Sequence, residues 1–138
     1  MKVQKATYVL LRYVMSFIFL WAFLDKVFGL GFSTNKAQAW INGGSPTHNF
    51  LLLATKGPFI KYFHTIATIP YLDWIFMLGL LFVGLTLLFN KFLKLGCLVG
   101  VVMLLLMYLS LLFPATNPII DEHIVYILVL ILLAFESE

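Results

Sequence analysis

Three residues in a row carry the strongest chemical signal in this chain. Asp121, Glu122 and His123 sit at the head of an apolar run that continues to Phe135. Two carboxylates beside a histidine are the side chains that take up and release protons. Ionisable groups at membrane depth are costly, and by default they mark a functional site. Asp25 and Lys26 form a second charged pair at the end of another apolar run, and Asp73 opens a third. Arg12 lies about one and a half turns into the first run. The segment between the first and second runs adds Trp40, Asn42, Ser45, His48, Lys56 and His64. Asn117, with a capping side chain, stands directly before Pro118 and suits a helix start there.

Metal chemistry is poorly supported by the same residues. His48, His64 and His123 lack any ligand spacing, and a bis-histidine haem needs two histidines facing each other across helices. No metal or haem is expected. Cys97 is the only cysteine, so an internal disulfide or a C-x-x-C redox pair is ruled out. Gly43-Gly44-Ser45 could form a backbone nest for an anion, though a helix break is the simpler reading.

The elements that must position these groups are membrane helices. Of 138 residues, 62% are hydrophobic and 11% charged. An ordinary soluble domain is about 25% charged, so the class is an integral membrane protein. Mean hydropathy is +1.02. The net charge of +3 does not imply nucleic acid, because the basic residues are scattered singly beside apolar runs. The expected fold is an all-α membrane protein, a single four-transmembrane-helix antiparallel bundle over residues 1–138. The spans fall at 6–30, 72–89, 95–113 and 118–135, and segment 31–71 forms a cap with short interfacial helices. Within the cap, Ser33 or Thr34 could start a helix to Ile41, Ser45-Pro46 one to Lys56, and Pro58 one that ends before Pro70. The first span has no cleavage pattern after it and reads as an uncleaved helix.

Ile124 to Phe135 covers about 18 Å at 1.5 Å per residue, short of a hydrocarbon core of about 30 Å. The fourth helix is therefore expected to take in Asp121, Glu122 and His123. In the first helix, Arg12, Ser16, Phe19 and Lys26 share one stripe, expected to face the bundle. Gly96 and Gly100 are spaced for close helix contact. Met103, Met107, Tyr108 and Tyr126 read as packing.

Four spans put both termini on one side. Lys2, Lys5, Arg12, Lys91 and Lys94 lie on that side, and Lys26, Lys36, Lys56 and Lys61 on the other. The positive-inside bias then puts both termini in the cytoplasm of a multi-pass cell-membrane protein, with 31–71 extracytoplasmic.

Several blocks resemble the DoxX-like family of small four-helix membrane proteins, and most closely its DoxD branch. They are Phe23-Leu24-Asp25-Lys26-Val27-Phe28-Gly29-Leu30-Gly31-Phe32, Ala39-Trp40-Ile41-Asn42-Gly43-Gly44-Ser45-Pro46 and Ala54-Thr55-Lys56-Gly57-Pro58-Phe59. Asp73-Trp74-x-Phe76-Met77-Leu78-Gly79 and Asn117-Pro118-x-x-Asp121-x-His123 complete the set. The resemblance implies a thiosulfate:quinone oxidoreductase subunit, converting thiosulfate to tetrathionate with a quinone as electron acceptor. On that reading Asp25, Asp121, Glu122 and His123 are the catalytic candidates and handle protons. Lys26, Trp40, Asn42, Ser45 and Lys56 are the substrate-binding candidates. Arg12, Asp73 and Asn117 are structural or intramembrane polar residues. The partners are the lipid bilayer, the small anion and the quinone, with a second membrane subunit or a second copy of the chain left open. The alternative is a non-enzymatic membrane scaffold or assembly factor, in which the outer charges are structural.

Overall fold

The computed structural model describes residues 1–48 and 50–136. Among them every regular element is helical. The elements are α1 (Lys2–Phe28), α2 (Ile60–Ile66), α3 (Leu72–Phe89), α4 (Leu93–Ser110) and α5 (Glu122–Phe135). Two 3-10 turns, Lys36–Gln38 and Trp40–Asn42, and a π turn, Phe50–Ala54, lie in the cap. α1, α3 and α4 are long and apolar enough to cross a membrane. At 27, 18 and 18 residues they run about 40, 27 and 27 Å.

The fourth run is shorter than expected. α5 has 14 residues, about 21 Å, and begins at Glu122 rather than near Pro118. The reason is local. Asn117 does not cap a helix; its Oδ1 accepts from the N–H groups of Ile119 and Ile120 and builds a separate turn. Asp121 is extended and takes the capping role instead, accepting from the His123 N–H at 2.9 Å. The third span also stops early. Expected to reach 113, α4 ends at Ser110, whose carbonyl accepts from the Lys56 N–H. The cap differs too. The helix expected from Ser33 or Thr34 resolves into two 3-10 turns, the first capped by Asn35. Of the helix expected after Ser45-Pro46, which runs through residue 49 outside the described residues, the described part holds a π turn over Phe50–Ala54, and the helix expected after Pro58 is the seven residues of α2.

α1 packs on α3, α3 on α4 and α4 on α5, and α5 returns to the side of α1. Met15, Phe19, Met77, Leu80, Val83, Leu87, Leu104, Leu130 and Leu133 fill the centre. The outside is equally apolar: Leu78, Leu98, Leu106 and Leu128 are 50–60% exposed. Large apolar residues on both the inner and outer faces of the same helices suit a lipid surround.

Three members of the expected stripe on α1, Arg12, Ser16 and Phe19, are buried in the bundle, whereas Lys26 is half-buried and turns to the Ser33 hydroxyl of the following loop. The buried polar members reach backbone carbonyls on other helices. Arg12 donates to the carbonyls of Leu87 and Leu88 at 2.5 and 3.1 Å. Both lie in the last turn of α3, where carbonyls have no partner within the helix. The guanidinium charge also complements the negative end of the α3 dipole. Ser16 donates to the Gly84 carbonyl at 2.8 Å, and the Tyr8 hydroxyl to that of Leu133 in the last turn of α5 at 3.0 Å.

Gly96 and Gly100 work as contact points. A Cβ at Gly96 would lie 1.9 Å from Thr86 Oγ1 on α3. One at Gly100 would lie 2.7 Å from Leu130 Cδ1 on α5. α4 thus touches both neighbours through the same face. Gly96→Val is expected to lower stability by about 1–3 kcal/mol in mixed-micelle unfolding, as overpacking does. Leu98→Ala, on the exposed face, stays within about 0.5 kcal/mol. Equal stability for Gly96→Val and wild type contradicts the packing described.

Candidate functional site

The first turn of α5 builds the site. Capping places the Asp121 carboxylate over the helix start, and His123 two residues later turns its ring onto the same group. His123 Nδ1 lies 2.9 Å from Asp121 Oδ2, the only ion-pair contact among the described residues. A carboxylate only accepts, so this geometry puts a proton on Nδ1. The other ring nitrogen, Nε2, has no hydrogen-bond partner among the described residues. A histidine held at one nitrogen by a carboxylate presents the other in a fixed direction as acceptor or donor.

His123, Asp121 and Glu122 line an open cleft of about 300 Å³ together with Lys56, Leu111, Pro114, Ala115 and Thr116. Two tethers bring the opposite wall in. The Lys56 N–H donates to the Ser110 carbonyl at 3.0 Å. Gly57 follows with φ +83°, and a Cβ there would lie 2.1 Å from the Leu112 carbonyl. Glycine alone lets the backbone pass this closely. The 111–121 segment is held by Tyr108, whose hydroxyl donates to the Ile119 carbonyl, and by the Asn117 turn. Asn117 and Tyr108 therefore shape the site without lining it. Thr116 is a cleft residue that carries no sequence signal, since a lone threonine between turn residues has no motif.

The other carboxylates are committed elsewhere. Asp25 is 1% exposed and accepts from the N–H groups of Phe32 and Ser33 and from the Ser33 hydroxyl. It ties the chain leaving α1 back onto that helix. Lys26 donates to the Ser33 hydroxyl at 3.2 Å and makes no ion pair with Asp25. Asp73 does the equivalent task at the start of α3. It accepts from the Ser45 hydroxyl and from the N–H and hydroxyl of Thr47, at 2.6–2.9 Å. Ser45 is thus a partner of Asp73. Asn42 donates to the Lys36 carbonyl at 2.8 Å. Trp40 packs edge-on against Trp74, ring centroids 4.8 Å apart. His48 Nδ1 lies 3.2 Å from the Ala67 carbonyl.

The polar residues expected to gather at one mouth are therefore divided. Lys56, Asp121, Glu122 and His123 share the cleft. Asp25 with Phe32 and Ser33, and Asp73 with Ser45 and Thr47, form two separate loop clamps, and Lys26 joins the first only through the Ser33 hydroxyl. The clamp donors Ser33 and Thr47 have no sequence signature; only the fold shows what they bind. No group of three or more His, Cys, Asp or Glu side chains among the described residues is arranged to hold a metal.

The described residues form an all-helical protein with three helices long and apolar enough to cross a bilayer, and with one cleft that brings Lys56, Asp121, Glu122 and His123 together. Comparison with known protein families, curated proteins and solved structures finds no match to this chain.

Removing one clamp should loosen the cap and leave the cleft intact. Asp73→Ala deletes the acceptor for three donors, and hydrogen bonds to charged groups are worth about 1.5–3 kcal/mol each. Limited proteolysis is expected to cut the 43–48 turn at least several times faster in that variant, while cleavage at 114–118 is unchanged. Equal rates at 43–48 contradict the clamp.

Proposed function

We propose that the chain is the membrane subunit of a quinone-linked oxidoreductase acting on a small sulfur anion, of the thiosulfate-to-tetrathionate type. The observation that carries the reading is the His123–Asp121 pair in one cleft with Lys56. The resemblance to the DoxD branch supplies the substrate class. Two thiosulfate ions give up two electrons and join through a new S–S bond. The quinone gains those electrons and two protons and becomes the quinol. The chain's part is to supply and position protons. Asp121 holds His123 with Nδ1–H toward the carboxylate and stabilises the ring when Nε2 takes up a second proton; that Nε2–H would then donate to a carbonyl oxygen of the quinone and pass the proton on. Glu122 is exposed at the same helix start and exchanges protons with water. Lys56 is the uncommitted cation of the cleft and attracts the anion. Electron transfer itself belongs to the two substrates, aided by a second membrane subunit.

On this reading α5 is the fourth crossing. The bilayer thins locally around its 14 residues, which mismatch permits at modest cost. Both termini then face the cytoplasm and the 31–71 cap and cleft lie outside. The DoxX-type four-helix bundle is part of the same proposal.

One observation favours a second reading, a scaffold or assembly factor. Asp25 and Asp73 are fully engaged in holding the cap, which suits a rigid docking surface. Capture of a stable partner whose binding survives Asp121→Asn, with no turnover, selects it.

The enzyme reading predicts quinone reduction by thiosulfate in membranes holding the chain and any co-expressed partner. Asp121→Asn should lower the rate by about 10²-fold, the lower range for a positioned acid–base group. Lys56→Ala should raise the thiosulfate KM more than it lowers kcat. No reduction by wild type in the presence of its partner overturns the proposal.

A further inference from the structure

The opposite end of the bundle holds a second cavity, a groove of about 390 Å³ lined by Phe82, Leu85, Thr86, Phe89, Lys91 and Phe92. It runs along the last two turns of α3 and ends at the tight turn into α4. Five of its six residues are apolar or, in Thr86, buried with the hydroxyl donated to the Val83 carbonyl. The sixth, Lys91, is an exposed cation just beyond an 18-residue span, at the depth where lipid headgroups begin. An apolar trough closed by one cation matches a molecule with a long apolar chain and an anionic head.

The charge around the groove has the same sign. Lys2, Lys5, Lys91 and Lys94 cluster at this end, and Glu136 is the one described carboxylate there. The turn is also shaped in an unusual way. Asn90 and Phe92 both have left-handed backbones, φ 55° and 53°. Asparagine adopts this readily, but a bulky aromatic residue does so only under constraint. Three residues must reverse the chain between two antiparallel helices. The consequence is that the Phe92 ring, 77% exposed, stands at the mouth of the groove, where aromatic rings favour the membrane interface.

We infer that this groove binds one anionic glycerophospholipid, its phosphate against Lys91 and one acyl chain along Phe82, Leu85 and Phe89. The site is independent of the quinone reading, because it lies at the far end of the bundle from His123. Its function is to fix the depth of the α3–α4 turn in the leaflet on the side of the termini.

Native mass spectrometry of the delipidated full chain tests this. The protein is titrated with mixed micelles of phosphatidylglycerol or phosphatidylcholine of equal chain length. One phosphatidylglycerol adduct is expected, retained roughly fivefold more than phosphatidylcholine, as one lysine contact with an anionic lipid implies. Lys91→Glu should remove that preference and Lys91→Arg keep it. Leu85→Trp, which fills the trough while leaving the charge in place, should lower retention of both lipids. Excess inorganic phosphate should not displace the adduct. Equal retention of the two lipids, an unchanged Lys91→Glu preference, displacement by free phosphate, or a protein dimer in place of the adduct would each overturn the inference.

Discussion

Helix ends are the constraint on which this structure depends. Each end leaves backbone groups unpaired, and an apolar surround offers no water to pair them. With 11% charged residues the chain has few side chains for the task, and it places them at the ends. Arg12 reaches the last carbonyls of α3, and Tyr8 one in the last turn of α5. The Lys56 N–H meets the final carbonyl of α4, and Asp121 caps the start of α5. In three of these four cases the partner comes from a different element. The same bonds that finish the helices therefore hold them in their places.

That arrangement explains why the polar residues near the cap divide as they do. Asp25 and Asp73 accept three donors each from the loop that follows or precedes their helix. Such saturated carboxylates are anchors. Asp121 differs, because both groups it holds, the backbone N–H and the ring Nδ1, belong to His123, whose far nitrogen is unpaired among the described residues. Capping thus does two things at once at the head of α5. It starts the helix, and it aims His123 into the cleft that Lys56 closes from the other side.

Much of the architecture was legible in the residues themselves. The apolar runs marked α1, α3 and α4 closely, because long uncharged stretches leave little alternative in lipid. The bundle-facing stripe of Arg12, Ser16 and Phe19 followed from helical periodicity, and the roles of Gly96 and Gly100 from their spacing. α5 starts later than the sequence suggests because Asn117-Pro118 looks like a cap and a first turn, whereas the Asn117 side chain closes a turn of its own. The cap departs from the sequence pattern for a related reason. Its turn residues mark breaks well but do not determine whether the pieces between them are α, 3-10 or π. Least legible was the partition of the charges. Whether Asp25 meets Lys26 or Ser33, and whether Ser45 faces a ligand or Asp73, depends on contacts between segments up to 28 residues apart. No local pattern encodes that.

The central claim is that Asp121 fixes the His123 ring through Nδ1 and leaves Nε2 to the cleft. Nitrogen-15 solid-state NMR of the labelled chain in bilayers tests it directly, with the His123 signal assigned by its loss in His123→Gln. The account predicts a protonated Nδ1 hydrogen-bonded to a carboxylate, with that signature lost in Asp121→Ala. A His123 ring with a bare Nδ1, or one indifferent to Asp121→Ala, would contradict it.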